Sequence, residues 1–177
     1  MRFAALLASV NVGGNRIRMD ALRAALGDAG FRDVETVTAS GNVLFSAKDG
    51  VEDGPGEEIA AVVERHFGFR PFVAVRDAVE LAAAIEGNPF AGTGEDKLVH
   101  THFLEHQPAR DAFERLLADH RGRGPERLAL GDRALYIDFI EGVAGSKLTG
   151  AFIAKRIGCR GTARNMRSLA RILERMT

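Results

Sequence analysis

The amino-acid sequence predicts an α+β chain of two tandem βαββαβ halves with antiparallel sheets, closed by a C-terminal helix. Three observations carry that expectation. Short β-branched or continuous apolar runs alternate with segments of helical apolar spacing. The order of those segments is the same in the first and the second half of the chain. The one stretch that reads as a linker, Gly87 to Asp96, falls between them. A length of 177 residues holds one domain or two small ones fused closely, and the duplicated order favours two, 1–90 and 91–177.

Phe3 to Ser9 is a continuous apolar run, as a central strand buried on both faces requires. Asn11-Val12-Gly13-Gly14-Asn15 breaks it. Met19, Leu22, Ala25, Leu26 and Ala29 then recur at helical spacing, and Gly30 closes the helix as its C-terminal cap. Val34 to Thr38 and Val43 to Phe45 are strands joined by a tight Ser40-Gly41-Asn42 turn. Lys48 to Gly56 reads as a polar, glycine-rich loop. Glu57 to Phe67 is a helix with Ile59, Val62, Val63 and Phe67 on one face, and Pro71 to Val75 is the fourth strand.

A helix over Asp77–Glu86, capped by Asp77, leads to the linker. The order then recurs. Leu98 to Leu104 is a strand, Pro108 to Asp119 a helix, and Arg127–Leu130 with Ala134–Ile140 a hairpin turning at Gly131-Asp132-Arg133. A helix from about Ser146 to Ile157, an extended piece from Cys159 to Ala163 and a closing helix from Asn165 complete the chain. No residue-level repeat is evident. Strand, helix, strand, strand, helix, strand folds most simply into the ferredoxin-like arrangement, a four-stranded antiparallel sheet with both helices on one face.

Composition narrows the function classes. With 46% hydrophobic and 27% charged residues the chain buries a core, which excludes global disorder. Twenty-four basic and 24 acidic residues cancel, which argues against a protein that coats nucleic acid or anionic membrane all over. No apolar stretch approaches the roughly 20 residues of a membrane span, and the apolar start is too short for a signal peptide. The single cysteine, Cys159, forms no internal disulfide and builds no thiolate cluster, so a cytoplasmic, reducing compartment is expected. The charge is uneven, however. From Gly142 onward eight basic residues face one acid, Glu174, a net +7. This balance suits either an anion-facing tail or an attraction between the two parts of the chain.

Topology suggests where an anion would sit. In a ferredoxin-like half the exit of strand one and the hairpin between strands two and three share one end. That places Asn11, Gly13 and Gly14 near Ser40 and Asn42, where glycine-rich backbone and a helix start offer N–H groups; ordinary turn chemistry asks for the same residues. In the second half the exits of strands three and four share an end. Ser146 is placed to cap one following helix and Thr162 or Asn165 the other, with Lys147 and Arg164 beside them. Thr149 completes the Ser146-Lys147-Leu148-Thr149 string. A phosphate-bearing ligand, a nucleotide or nucleic acid, is the expected partner. An enzyme acting on a small anionic substrate, with Lys147 as electrophile or proton donor, and a purely structural, self-associating protein are the alternatives. Arg164, Arg167, Arg171 and Arg175 share a face of the last helix, opposite Leu169, Ile172, Leu173 and Met176, and read as a solvated or a polyanion-contacting face. His100, His102 and His106 lack a fourth ligand at metal spacing, so no metal is expected. Cys159 reads as a small core residue. No cofactor follows from the sequence, and no serine–histidine–aspartate order stands out.

Leu6-Leu7 through Asn11-Val12-Gly13-Gly14, Ser40-Gly41-Asn42-Val43, Asn88-Pro89-Phe90, Ser146-Lys147-Leu148-Thr149 and Thr162-Ala163-Arg164-Asn165 together resemble the bacterial domain-of-unknown-function family 1697. The resemblance runs over almost the whole chain. It implies tandem ferredoxin-like halves and carries no established activity, substrate or cofactor. Two positions depart from the family pattern: Ala8 stands where an arginine usually precedes the Asn-Val-Gly-Gly turn, and Met166 replaces an aromatic after Arg164-Asn165. Any binding that those two residues serve in relatives is altered or lost here.

Overall fold

The computed structural model describes residues 1–46 and 54–177. Its elements are β1 (Arg2–Leu7), α1 (Met19–Asp28), β2 (Arg32–Val37), β3 (Asn42–Ser46), α2 (Pro55–Phe67), β4 (Val73–Asp77), α3 (Ala78–Glu86), β5 (Val99–Leu104), α4 (Arg110–His120), β6 (Arg127–Gly131), β7 (Ala134–Asp138), α5 (Gly150–Ile157), β8 (Gly161–Asn165) and α6 (Met166–Met176). Two four-stranded sheets result, ordered β2-β3-β1-β4 and β6-β7-β5-β8, with every pairing antiparallel. Each is the βαββαβ arrangement expected from the element order. The chain forms two compact units, Met1–Leu81 with Arg171–Thr177, and Ala82–Ala170. The divisions fall inside α3 and inside α6.

β1 is internal to its sheet, and Ala4, Ala5, Leu6 and Leu7 are all but fully buried. Full burial of a leucine contributes about 1.5–3 kcal/mol, which fixes this strand in the middle. Ala5, Leu7, Val43 and Phe45 meet Leu22 and Leu26 of α1 and Ile59, Val62 and Val63 of α2 in the first core. The opposite face of that sheet carries Ala4, Leu6, Asn42, Leu44, Ala74 and Arg76, and it is buried too. In the second unit Leu104, Leu135, Ile137 and Phe139 pack with Phe113 and Leu116 of α4 and Ile153 and Ile157 of α5. Cys159 is a free, buried member of this core, its thiol 3.8 Å from the His106 carbonyl.

Several boundaries move for local reasons. β2 begins at Arg32 because a bulge between Arg32 and Glu35, with Asp33 at φ +50°, extends the pairing. α2 begins at Pro55, whose fixed φ suits the first turn, behind Gly54 at φ +90°. The Lys48–Gly56 loop expectation falls largely outside the described residues, and its last two residues, Pro55 and Gly56, are helical. α3 has the expected Asp77 cap, completed into a capping box: the Glu80 N–H donates to the Asp77 Oδ1 at 2.8 Å, and the Asp77 N–H donates to Glu80 Oε2 at 3.0 Å. α5 is shorter than expected. Its cap is Thr149, whose Oγ1 accepts the Phe152 N–H at 3.2 Å, so the helix begins at Gly150 and not at Ser146. Among the described residues no helix is long and apolar enough to cross a membrane.

Candidate functional site

The two turns of the first unit do meet at one end of the sheet. The Leu7 N–H donates to the Gly41 carbonyl at 2.9 Å, and the Asn11 Nδ2 donates to the Ala39 carbonyl at 2.7 Å. Asn11, at φ +56°, also donates to the Ile17 carbonyl and accepts the Ile17 N–H at 2.9 Å, so its amide is spent on the loop itself. Asn42 is fully buried and donates to the Val37 carbonyl and to Thr38 Oγ1, both at 3.1 Å. Gly41, at φ +75°, lies so close to Val10 that a Cβ would sit 2.9 Å from the valine Cβ. Gly13, Gly14 and Ser40 are the exposed members of this set. α1 has Arg18 at its N-cap, without a side-chain cap bond, and Asp20 in its first turn. That carboxylate already occupies the positive end of the helix.

In the second unit the expected residues separate into two groups. Ser146 and Lys147 line an open cleft of about 270 Å³, walled by residues 123–126 ahead of β6 and by 141, 142 and 144–147 of the β7–α5 loop. Thr162, Arg164 and Asn165 are not part of it. Register explains why. Leu135 and Ile137, which face α4 and α5, stand opposite His102 and His100, whereas Arg164 stands opposite Thr101 on the other face of β5. Arg164 is only 8% exposed, and its Nη1 donates to Thr162 Oγ1 and to the Ala163 carbonyl, both at 2.8 Å. Burial lowers its pKa to about 10, so its charge is a framework charge. Asn165 caps α6, accepting the Ser168 N–H at 2.9 Å. The convergence of Lys147 and Arg164 on one mouth is thereby corrected: the side chains leave β8 and the β7–α5 loop toward different faces.

The cleft is built on a buried carboxylate that the sequence did not single out. Glu126, with a side chain 3% exposed, accepts the Ser146 hydroxyl on Oε1 and faces His120 Nε2 at 3.0 Å through Oε2. Burial pushes this carboxyl up, and the Ser146 hydroxyl, its own backbone N–H and His120 outweigh that, leaving it below the usual carboxylate range. His120 is 5% exposed and its Nδ1 has no partner among the described residues. Ser146 Oγ also accepts the Leu148 N–H at 3.1 Å, which ties the loop to the start of α5. Arg123 stacks its guanidinium 4.5 Å from the centre of the Phe152 ring, and Arg156, paired with Asp119 at 2.8 Å, lies 3.5 Å from that ring. Lys147 is exposed and makes no ion pair among the described residues. The Phe139–Thr149 loop starts in strain. Ile140 holds φ +59° while the Glu141 N–H donates back to the Phe139 carbonyl at 2.6 Å, a three-residue turn.

His100 and His102 share a face as strand alternation requires, and His100 packs edge-on against Phe139 at 4.9 Å. His102 is buried, and burial with neighbouring His100 lowers its pKa to about 4. Among the described residues no group of three or more histidine, cysteine, aspartate or glutamate side chains is placed to hold a metal.

The family model described as "Protein of unknown function (DUF1697)" matches residues 1–136. The chain belongs to the DUF1697 family. The match takes in the Asn11–Gly14, Ser40–Asn42 and Asn88–Phe90 motifs and ends inside β7, ahead of Ser146 and Arg164. No curated protein matches the chain. Among solved structures it is similar to the conserved bacterial protein SP0830 from Streptococcus pneumoniae, at 20% identity and a TM-score of 0.65, covering 99% of this chain and 97% of that one. At that identity the likeness establishes a shared fold for this DUF1697 member.

Proposed function

We propose that this protein binds a small phosphate-bearing ligand, of nucleotide class, in the cleft between residues 123–126 and 141–147. One observation supports the reading above the rest: Arg123 and Lys147 line a single open cleft of about 270 Å³, and neither is neutralised by an ion pair among the described residues. A cation pair over backbone that is free to donate is a recurrent way to hold a phosphate. Gly142 and Gly145, at φ +111° and +85°, shape that backbone without crowding it. Thr162 and Arg164 enter as support for β8. Gly13, Gly14 and Ser40 form a second, weaker anion patch in the first unit. The single buried thiol suits a reducing compartment, and we place the protein in the cytoplasm.

Calorimetric titration with pyrophosphate, a nucleoside monophosphate and a short single-stranded DNA tests this. The expected result is saturable heat with the small anions, weakened at least about 10-fold in the double variant Arg123→Ala, Lys147→Ala, a loss of about 1.4 kcal/mol. Heat with DNA alone would move the reading to nucleic acid. No heat with any of the three overturns it.

A further inference from the structure

We propose that Ser146 is an acyl-accepting nucleophile with Glu126 as its general base. The structure brings Ser146 to a pair that lies 20 or more residues earlier: Ser146 donates its hydroxyl to Glu126 Oε1, and His120 Nε2 faces Glu126 Oε2 at 3.0 Å. The serine hydroxyl donates to the carboxylate and His120 Nε2 faces that same carboxylate, so the carboxylate is the group that takes the proton and His120 is a positioning residue behind it. Both supporting side chains are at least nine-tenths buried, whereas Ser146 lines the open cleft. A hydroxyl activated by a desolvated carboxylate, with a third group orienting the base, is the general arrangement of an activated nucleophile. Among the described residues the backbone N–H groups of Gly145 and Lys147 make no hydrogen bond, and the Lys147 ammonium and Arg123 guanidinium line the same cleft. These donors are available to a developing oxyanion.

The substrate class is an activated acyl donor whose remote part carries phosphate; that last feature rests on the binding reading above, and the nucleophile does not. In the first step Ser146 Oγ bonds to the acyl carbon and its proton passes to Glu126 Oε1. The bond from the acyl carbon to its leaving group breaks, and the leaving group departs with that proton. Water then attacks the acyl-serine and gives a proton to Glu126, and Ser146 Oγ departs and takes the proton back. The products are a carboxylic acid and the protonated leaving group.

The test uses the full-length chain and a fluorophosphonate probe, with the adduct located by peptide mass spectrometry. One adduct on Ser146 is expected, absent in Ser146→Ala and formed about 100-fold more slowly in Glu126→Gln, with folding checked by circular dichroism. The labelling rate falls on an acid limb as Glu126 protonates. In His120→Ala the limb moves to higher pH, and His120→Gln, which restores a donor, moves it back. No adduct on the native chain overturns the proposal, whatever the variants do. An adduct whose rate is unchanged in Glu126→Gln overturns the role of the carboxylate. Labelling without pyrophosphate binding leaves the nucleophile standing and removes the phosphate from its substrate, whereas binding without labelling makes the cleft a receptor only.

Discussion

Arg76 and Arg164 occupy the same position in the two sheets. Each is the fourth residue of its sheet's last strand, pairs across to the first strand of its half, and donates from Nη1 to the preceding carbonyl at 2.8 Å. The correspondence continues along the chain. Asp77 and Asn165 cap the helices that follow, and Leu81 and Leu169, five residues beyond each arginine, are fully buried. A residue-level repeat therefore does exist, Arg-Asx-x-x-x-Leu, at the junction of the last strand and the next helix.

Removing either arginine head group strands the polar atoms packed around it. Arg76→Ala and Arg164→Ala should each cost about 3 kcal/mol in urea unfolding. Arg167→Ala, on the exposed face of α6, should stay within about 0.5 kcal/mol. Equal small effects at all three positions would refute the framework role.

His102 makes the fold acid-sensitive. Its folded pKa is about 4 against an ordinary 6.5, with burial as the main cause. The unfolded chain takes up a proton as pH falls through 6.5 and the folded chain only near 4, so stability is full above 6.5 and is lost between those values. The loss amounts to about 3 kcal/mol for a shift of this size. His100, lowered in the same direction by burial, adds to it. His102→Leu should flatten the pH dependence of the unfolding free energy across that window, while a variant as steep as the native chain would exclude His102 as the source.

Ile140 stores backbone strain. A β-branched residue at φ +59° gains little in return, being 42% exposed. Ile140→Gly should raise stability by about 1 kcal/mol, seen as a higher urea midpoint with an unchanged slope. A lower midpoint would show that the isoleucine side chain matters more than its backbone.

The start of α5 distinguishes two neighbouring hydroxyls. Thr149→Ala removes the helix cap and should cost about 1 kcal/mol. Ser146→Ala leaves the buried Glu126 carboxylate short of a donor and should cost more, about 2 kcal/mol. Thermal unfolding of the two variants side by side checks the order.

Local pattern was enough for the elements, because each depends on spacing within about 10 residues. The continuous apolar runs of β1 and β3, the glycine caps and the apolar stripe of α6 all lie within that range. Leu169, Ile172 and Met176 are buried and Arg167, Arg171 and Arg175 exposed, as helical spacing predicts, whereas Leu173 is half-buried and Arg164 belongs to β8, not to the helix face. The meeting of the Asn11–Asn15 and Ser40–Asn42 turns followed from topology alone. The cleft did not, since it depends on register and on long-range contacts. Arg164 shares a face with Thr162 by strand alternation, but only the pairing with Thr101 shows that this face is turned away from α4 and α5. His120 and Glu126 carry no motif, and nothing within the helix–turn–strand that holds them announces Ser146, 20 residues past the glutamate. The Arg-Asx repeat was missed because two identities, an arginine and a leucine, are too few to stand out in sequence.

Cys159 gives this molecule a built-in clock. With a lone sulfhydryl sealed in the core of the second unit, a thiol-capturing reagent finds nothing to react with until that core parts. The rate of capture therefore counts breathing events of one half of the chain, and no engineered label is needed to hear them.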